Sequence, residues 1–229
     1  VLPTIKLEFE GPNVFWIDER GTFQENGPKY NLRTRKHKLS SRYNEETNSY
    51  QICVDEALLQ VRNRIPFDAF CTVAITMSDI YEEESDVYVG GLAQTAYQFG
   101  VFSFFRYDPV LSFSTMDWFE NWKEEDIPID ERKCTILQRR CKVLVHEILH
   151  LFGLQHCIFF ACCMNGSGHL EEDFRQPIHL CPADLRKLQK LVGFDVEERY
   201  TKLKEFYEEH SMTNDARWVL NRTKHIAKR

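Results

Sequence analysis

Residues 146–164 read HEILHLFGLQHCIFFACCM, three histidines, a glutamate and three cysteines inside one of the most apolar stretches of the chain. His146 and His150 are four residues apart, so a helix sets them on one face, one turn above the other. Burying two imidazoles and a carboxylate without partners would cost on the order of several kcal/mol. A divalent cation offsets that, because Zn²⁺ accepts two ring nitrogens at this separation. The bland alternative is a pair of core histidines held by hydrogen bonds, with Glu147 in a salt bridge.

The residues that follow favour the metal. HExxH alone arises by chance in roughly a few per cent of chains of this composition, and Gly153 and His156 at fixed offsets lower that by roughly several hundredfold. A helix running past Gly153 would carry residue 156 away from the histidine face. Glycine at a helix end takes the left-handed conformation and turns the chain back, which lets His156 supply a third nitrogen. Three protein ligands leave one position for water, the mark of a catalytic zinc. Glu147, beside the first ligand, is then the natural general base.

Several elements must position these groups. The helix carrying His146 is expected to start at Asp130 as N-cap and to run through Cys134, Leu137, Cys141, Leu144 and Ile148 to about Phe152. Upstream, TIKLEFE (Thr4 to Glu10) alternates like a strand. Apolar spacing at Ile52, Leu58, Leu59 and Val61 predicts a helix from about Glu45 to Arg64, ended before Pro66. AFCTVAIT (Ala69 to Thr76) and GVFSFFRY (Gly100 to Tyr107) read as strands, the first rich in β-branched residues. DVYVGGLAQTA carries a Gly pair inside a strand pattern, which suggests an edge or a bulge. Beyond Cys181 come a short helix, PADLRKLQKLVG, and a charged helical tail from about Val196. Strands first and helices later indicate α+β or α/β.

At 229 residues, with 43% hydrophobic and 28% charged residues, the chain has an ordinary globular composition and one core's worth of length. A net charge of −6 argues against nucleic acid as a partner. The basic cluster RTRKHK reads as a solvated face. No run of about 18 apolar residues is present, so no membrane span is expected. The opening VLPTIKLEFEGP lacks the basic start and apolar block of a signal peptide. It also lacks an initiator Met, as an internal fragment or a processed form would. Cys53, Cys71, Cys134 and Cys141 sit singly in apolar segments, as reduced core cysteines do, whereas Cys157, Cys162, Cys163 and Cys181 crowd around the histidines. Metal ligation and a reducing, cytoplasmic or nuclear setting are therefore expected before disulfides. A monomer acting on a peptide or protein substrate is the expected form.

HExxHxxGxxH followed by a Met turn is the metzincin signature. Here the methionine is Met164, eight residues after His156, with Cys157 and Cys162 between them and Cys181-Pro182 downstream. This arrangement resembles the archaemetzincins. AFCTVAITMSDIY, DVYVGGLAQ and GVFSFFRYDP upstream, and MNGSGHLEED and LRKLQKLVGF downstream, look like the same family from about Ser41 to Tyr200. The resemblance implies a zincin-like α+β fold: a twisted mixed sheet with an edge strand over the cleft, an active-site helix and a small C-terminal helical subdomain. Residues 1–153 would form the upper part and 154–229 the lower part of a single catalytic domain.

By the same resemblance, His146, His150 and His156 bind catalytic zinc, Glu147 is the base, and Met164 forms the apolar floor beneath the ligands. The family also holds a second, structural zinc on four cysteines, three of which correspond to Cys157, Cys162 and Cys181. This chain reads CPAD where the family ends in CxxC, so Asp184 stands in the fourth position. A Cys₃Asp site remains chemically competent, since zinc accepts carboxylate oxygen, but it is harder and weaker for a soft-ligand site. Cys163 is an extra thiol beside it.

The implied reaction is peptide-bond hydrolysis. Gly91, Leu92 and Ala93, within Tyr88 to Gln94, are the expected edge strand on which a peptide could add by main-chain pairing. An ordinary bulged edge strand explains the same residues. Asn165-Gly166-Ser167 stand where several metzincins place a tyrosine that helps hold an oxyanion; His169, Glu171 and His179 are substitutes for it, or else solvated and capping residues. Two other functions compete: a zinc-binding scaffold or regulatory protein with little or no proteolysis, and, more weakly, a thiol enzyme using Cys162 and Cys163.

Overall fold

The computed structural model describes residues 15–17, 22–25, 37–45, 49–63, 65, 67–109, 128–168 and 170–226. They divide between two units, Val1–Asp126 and Ile127–Arg229. The strand expected at Thr4 to Glu10 and the loop holding Trp118 and Trp122 lie outside the described residues, as does His169.

The first unit is built from short strands. β1 (Phe15–Ile17), β2 (Thr22–Glu25) and β3 (His37–Lys38) form an antiparallel ribbon. β4 (Ser41–Asn44) pairs antiparallel with β5 (Ser49–Cys53), which leads directly into α1 (Val54–Arg62). β6 (Thr72–Thr76), β7 (Asp79–Tyr81), β8 (Gly91–Gln94) and β9 (Phe99–Ser103) follow. β5 and β7 run parallel, β6 and β9 run parallel, and β8 and β9 run antiparallel. These give two three-stranded mixed sheets, ordered β4-β5-β7 and β6-β9-β8. A single bridge, Ile80 to Val89, ties β7 to the residues just before β8. Gly91, Leu92 and Ala93 therefore lie on a terminal strand of their sheet.

The helix expected from Glu45 to Arg64 is shorter than the apolar spacing suggested. Ser49–Cys53 is a strand because it is paired on both sides, by β4 and by β7. Ladder bonds on two flanks outweigh the weak helical preference of SYQIC, whose Tyr and Ile suit a pleated surface. Among the described residues of that range the helix covers Val54–Arg62, and it buries Val54, Ala57, Leu58 and Val61 while Leu59 is exposed. Ile52, Ile80, Phe99 and Val101 complete that core. GVFSFFRY likewise ends as a strand at Ser103 and continues as a 3₁₀ turn over Phe105–Tyr107.

The glycine pair has a packing reason at Gly91. It lies opposite Phe102 in the ladder, and a β-carbon there would run into the Phe102 ring and approach the Val101 carbonyl to 2.9 Å. The same unit holds a buried charge network that sequence reading missed. Arg106 donates from Nε to Asp79 Oδ1 at 2.9 Å and from Nη2 to Oδ2 at 2.6 Å. Ser49 and Gln51 donate to the same carboxylate, and the Tyr88 ring lies 3.7 Å from the guanidinium carbon.

The second unit is helical among its described residues: α2 (Ile129–Leu151), α3 (Leu170–Arg175), α4 (Pro182–Val192), α5 (Val196–Glu209) and α6 (Thr213–Ile226). α2 spans nearly the expected range, but its N-cap is Pro128, and Asp130 lies in the first turn, where its charge complements the helix dipole. The charged tail is two helices. The break falls at His210–Met212, with Ser211 at φ 60°. Met212 there is buried with Tyr200, Tyr207, Ala216 and Val219, so closing α5 onto α6 removes apolar surface that one long helix would leave wet. The same core holds Leu149, Leu154, Met164, Ile178, Leu180 and Leu185. The chain is α+β, one of the two classes its pattern of elements allowed and the one the resemblance implied.

Candidate metal centre

α2 ends immediately after the second histidine, and its termination shapes the site. The Gly153 N–H donates to His150 O at 2.9 Å and the Leu154 N–H to Leu149 O at 3.0 Å, with Gly153 left-handed at φ 84°. This is a Schellman closure, and the buried pair Leu149 and Leu154 supplies its apolar contact. The reversed chain brings the Leu154 carbonyl to 2.7 Å from His150 Nδ1 and carries His156 back to the other two rings. Ring centroids stand 4.6 Å apart for His146 and His150, 5.3 Å for His146 and His156, and 4.8 Å for His150 and His156. One nitrogen from each ring lies within 4.8 Å of the other two.

Hydrogen bonding decides which nitrogens those are. His146 Nδ1 faces the Cys163 carbonyl at 2.7 Å and His150 Nδ1 faces the Leu154 carbonyl. A carbonyl oxygen only accepts, so both Nδ1 atoms carry the proton. In the neutral rings both Nε2 atoms then present lone pairs, and these two atoms stand 3.0 Å apart. Two lone pairs at that distance repel unless a cation lies between them. A tetrahedral zinc at about 2.0–2.1 Å from each nitrogen sets two nitrogens about 3.3 Å apart. The rings thus fit zinc better than they fit each other. Burial holds His146 near a value of about 4 and also lowers His150, so both rings stay neutral and ligand-competent at pH 7.

Glu147 lies one residue along, on the neighbouring face of α2. Burial pushes its carboxyl up to about 7, with the negative charge of Asp173 adding to the effect. Met164 is fully buried. The turn around it is fastened to the histidines by main-chain bonds, since the Cys157 N–H donates to Met164 O at 2.7 Å and the Cys163 carbonyl accepts from His146.

Asn165 is a tie that sequence reading passed over. Its Nδ2 donates to the carbonyls of Cys157 and Phe160, at 2.6 and 2.8 Å, and its Oδ1 accepts from the Cys162 N–H at 2.9 Å. It closes the loop that sets Ile158, Phe159 and Phe160 in solvent. Only its place between Met164 and Gly166 could have signalled this, because nothing in composition marks a loop-closing amide.

The second cluster gathers Cys157, Cys162, Cys181 and Asp184, whose ligand atoms all lie within 4.8 Å of one another. Asp184 Oδ2 stands 3.4 Å from both Cys162 Sγ and Cys181 Sγ, and the Cys157 and Cys181 sulfurs are 4.0 Å apart. Tetrahedral zinc with bonds of about 2.3 Å to sulfur and 2.0 Å to oxygen separates sulfur from oxygen by about 3.5 Å and two sulfurs by about 3.8 Å. The four groups match that spacing. Burial pushes the Cys162 thiol up to about 12 and raises Cys181, so a cation is needed to draw their protons off. Cys163 points elsewhere: it is buried in the apolar core and also raised to about 12.

The remaining candidates are not at the histidine cluster. His179 is buried, stacked on Trp218 with centroids 3.7 Å apart, with its Nε2 3.5 Å from Asp215 Oδ1. It is neither solvated nor a cap. Glu171 is ion-paired with Arg175 along α3. Among the described residues no membrane-spanning helix occurs.

The sequence model described as Peptidase family M54 matches residues 34–190. Archaemetzincin-2 of Macaca fascicularis is 40% identical over 186 residues, covering 76% of this chain and 51% of that protein. Archaemetzincin-1 of Homo sapiens is 33% identical over 178 residues, covering 72% of this chain and 36% of its own length. The chain spans about half the length of the archaemetzincin-2 relatives. Among solved structures, an archaemetzincin from Methanopyrus kandleri is similar at 23% identity and a TM-score of 0.44, over 63% of this chain and 67% of that one. A zinc-dependent peptidase from Methanocorpusculum labreanum is similar at 21% identity and a TM-score of 0.45, over 66% of this chain and 80% of that one.

Proposed function

Because the chain belongs to Peptidase family M54, we propose that it hydrolyses peptide bonds at a zinc ion held by His146, His150 and His156, with Glu147 as general base. The observation that carries this reading is the facing pair of Nε2 lone pairs, 3.0 Å apart, with the third ring beside them. Zinc bound there supplies a Lewis acid that lowers the pKa of a water toward about 7 and polarises a carbonyl. The chain's own residues do the rest. His146 and His150 are locked in the ligating tautomer by the carbonyls of Cys163 and Leu154, so no reorientation accompanies binding. Glu147 takes the proton of the attacking water and returns it to the departing amine. Met164 and the main-chain bonds around it keep the floor beneath the rings apolar and fixed. A second ion, held by Cys157, Cys162, Cys181 and Asp184, belongs to the same reading and stiffens the segment from which His156 and Met164 project.

The test is a digest of a peptide library by the wild-type chain beside Glu147→Gln, with zinc content measured on both. The expected result is cleavage by wild type, loss of it in the variant, and unchanged zinc content, because no ligand is removed. If both proteins bind zinc and neither cleaves any peptide, the chain is a zinc-binding scaffold instead. Zinc analysis of the wild type also counts the ions, with two per chain expected.

A further inference from the structure

Where Asp184 stands, the geometry also explains how a carboxylate replaces a thiolate without loosening the cluster. Asp184 is buried at 2% exposure and uses its two oxygens differently. Oδ2 faces the sulfurs of Cys162 and Cys181, and Oδ1 accepts from Lys187 Nζ at 2.7 Å. Asp184 and Lys187 are three residues apart on α4, so the helix itself brings the ammonium to the carboxylate. The main chain adds to this: Cys181 is the N-cap of α4, and its sulfur accepts from the Asp184 N–H at 3.4 Å.

We propose that Lys187 is a positioning residue of the thiol–carboxylate site, holding Asp184 as a one-oxygen ligand and offsetting part of the site's negative charge. This rests on the reading that the cluster binds an ion. Without the ammonium, the carboxylate is free to rotate and to present both oxygens, which a three-sulfur tetrahedral site does not accommodate. The charge argument runs the same way. Three thiolates and a carboxylate around a divalent cation leave a net charge of −2, and among the described residues Lys187 is the cationic side chain that pairs with Asp184. Lys187 and the N-terminal end of α4, an eleven-residue helix, are the two positive partners on that side. The occupant is a borderline divalent cation such as zinc or cobalt, since one hard oxygen among three sulfurs disfavours softer ions relative to a four-thiolate site.

The experiment titrates the metal-stripped full chain with Co²⁺ and follows the sulfur-to-cobalt charge-transfer absorption. That band reports thiolate ligation and so this site, because no cysteine belongs to the histidine cluster. Lys187 has a side chain 63% exposed, so Lys187→Met removes the ammonium without opening the core. The expected result is a loss of about 10–100-fold in affinity, the usual effect of removing a ligand's supporting partner, with recovery in Lys187→Arg. Asp184→Cys should make the band more intense and no longer responsive to Lys187→Met. A wild-type band with affinity unchanged in Lys187→Met overturns the role of Lys187 and leaves the ion itself standing. Absence of any such band in wild type overturns both the ion and its positioning residue, and bears on neither the histidine zinc nor Glu147, which the peptide digest reads separately.

Discussion

Gly166 lies flat against the His156 ring. A β-carbon built on it would stand 3.0 Å from His156 Nδ1, 3.3 Å from Cε1 and 3.4 Å from Cγ. His156 is the most exposed of the three rings and follows the turn that ends α2, so it has less around it than His146 or His150. The turn after Met164 therefore serves as a wall for His156, and a β-carbon there would require the ring to give by a few tenths of an ångström.

From this contact we expect Gly166→Ala to displace the His156 ring and to weaken zinc binding at the histidine cluster by about 10–100-fold, as losing a ligand's support does. Competition with a chromophoric chelator measures it. Gly168→Ala is the control, because its β-carbon would meet only Glu172 Oε2 at 3.7 Å, an ordinary contact. Equal affinities for the two variants would show that the wall has no effect on the ligand.

Arg106 and Asp79 bear on stability in the first unit. Both side chains are buried, at 4% and 0% exposure, and the guanidinium makes two bonds to the carboxylate. Arg106→Ala leaves a buried carboxylate short of its main partner, which typically costs about 3–5 kcal/mol. In a chain of this size each kcal/mol shifts Tm by about 2–4 °C, so a fall on the order of 10 °C is expected in a thermal melt. A shift of a degree or less would mean that Ser49 and Gln51 suffice to hold Asp79.

Asp215 makes the acid limb of stability testable. Burial alone would raise its carboxyl, but the His179 ring, with Nε2 3.5 Å away, and a hydrogen bond donated by Gln138 Nε2 outweigh that and hold it below the usual carboxylate range. A group depressed in the folded state contributes stability that is complete above its unfolded value of about 3.9 and is lost as the pH falls through the folded one. Urea unfolding should therefore show wild type more stable than Asp215→Asn at pH 6, with the gap narrowing below about pH 4. A gap that stays constant to pH 3 would remove the charge from the explanation.

Much of the candidate site was legible in the residue order because its chemistry is local. His146, Glu147 and His150 are spaced by a helix's own period, and Gly153 marks the only place where a right-handed helix could be turned back to bring in His156. The Schellman closure and the left-handed Gly153 bear out that local reading. The short helix expected beyond Cys181 likewise forms as α4, with Cys181 as its N-cap and Pro182 in its first turn. Where the reading failed, a distant partner had intervened. Ile52 looked helical until β4 and β7 claimed its flanks, and His179 looked solvated until Trp218 and Tyr207 closed over it.

Residue order alone thus specified the histidines, glutamate and cysteines of the two candidate clusters, their spacing and the helix that presents the first of them, since turns and caps act over a few residues through dihedral preference and nearest hydrogen bonds. It could not specify which imidazole nitrogens bond main-chain carbonyls, that Gly166 backs His156, that Asn165 closes the cysteine loop, or that Arg106 neutralises Asp79. Those facts depend on atoms meeting within a few ångströms in the folded chain, from residues three apart at Cys162 and Asn165 to 27 apart at Asp79 and Arg106, and the free energy that selects such meetings is burial, hydrogen bonding and charge pairing. Neighbour-to-neighbour preference carries no record of them.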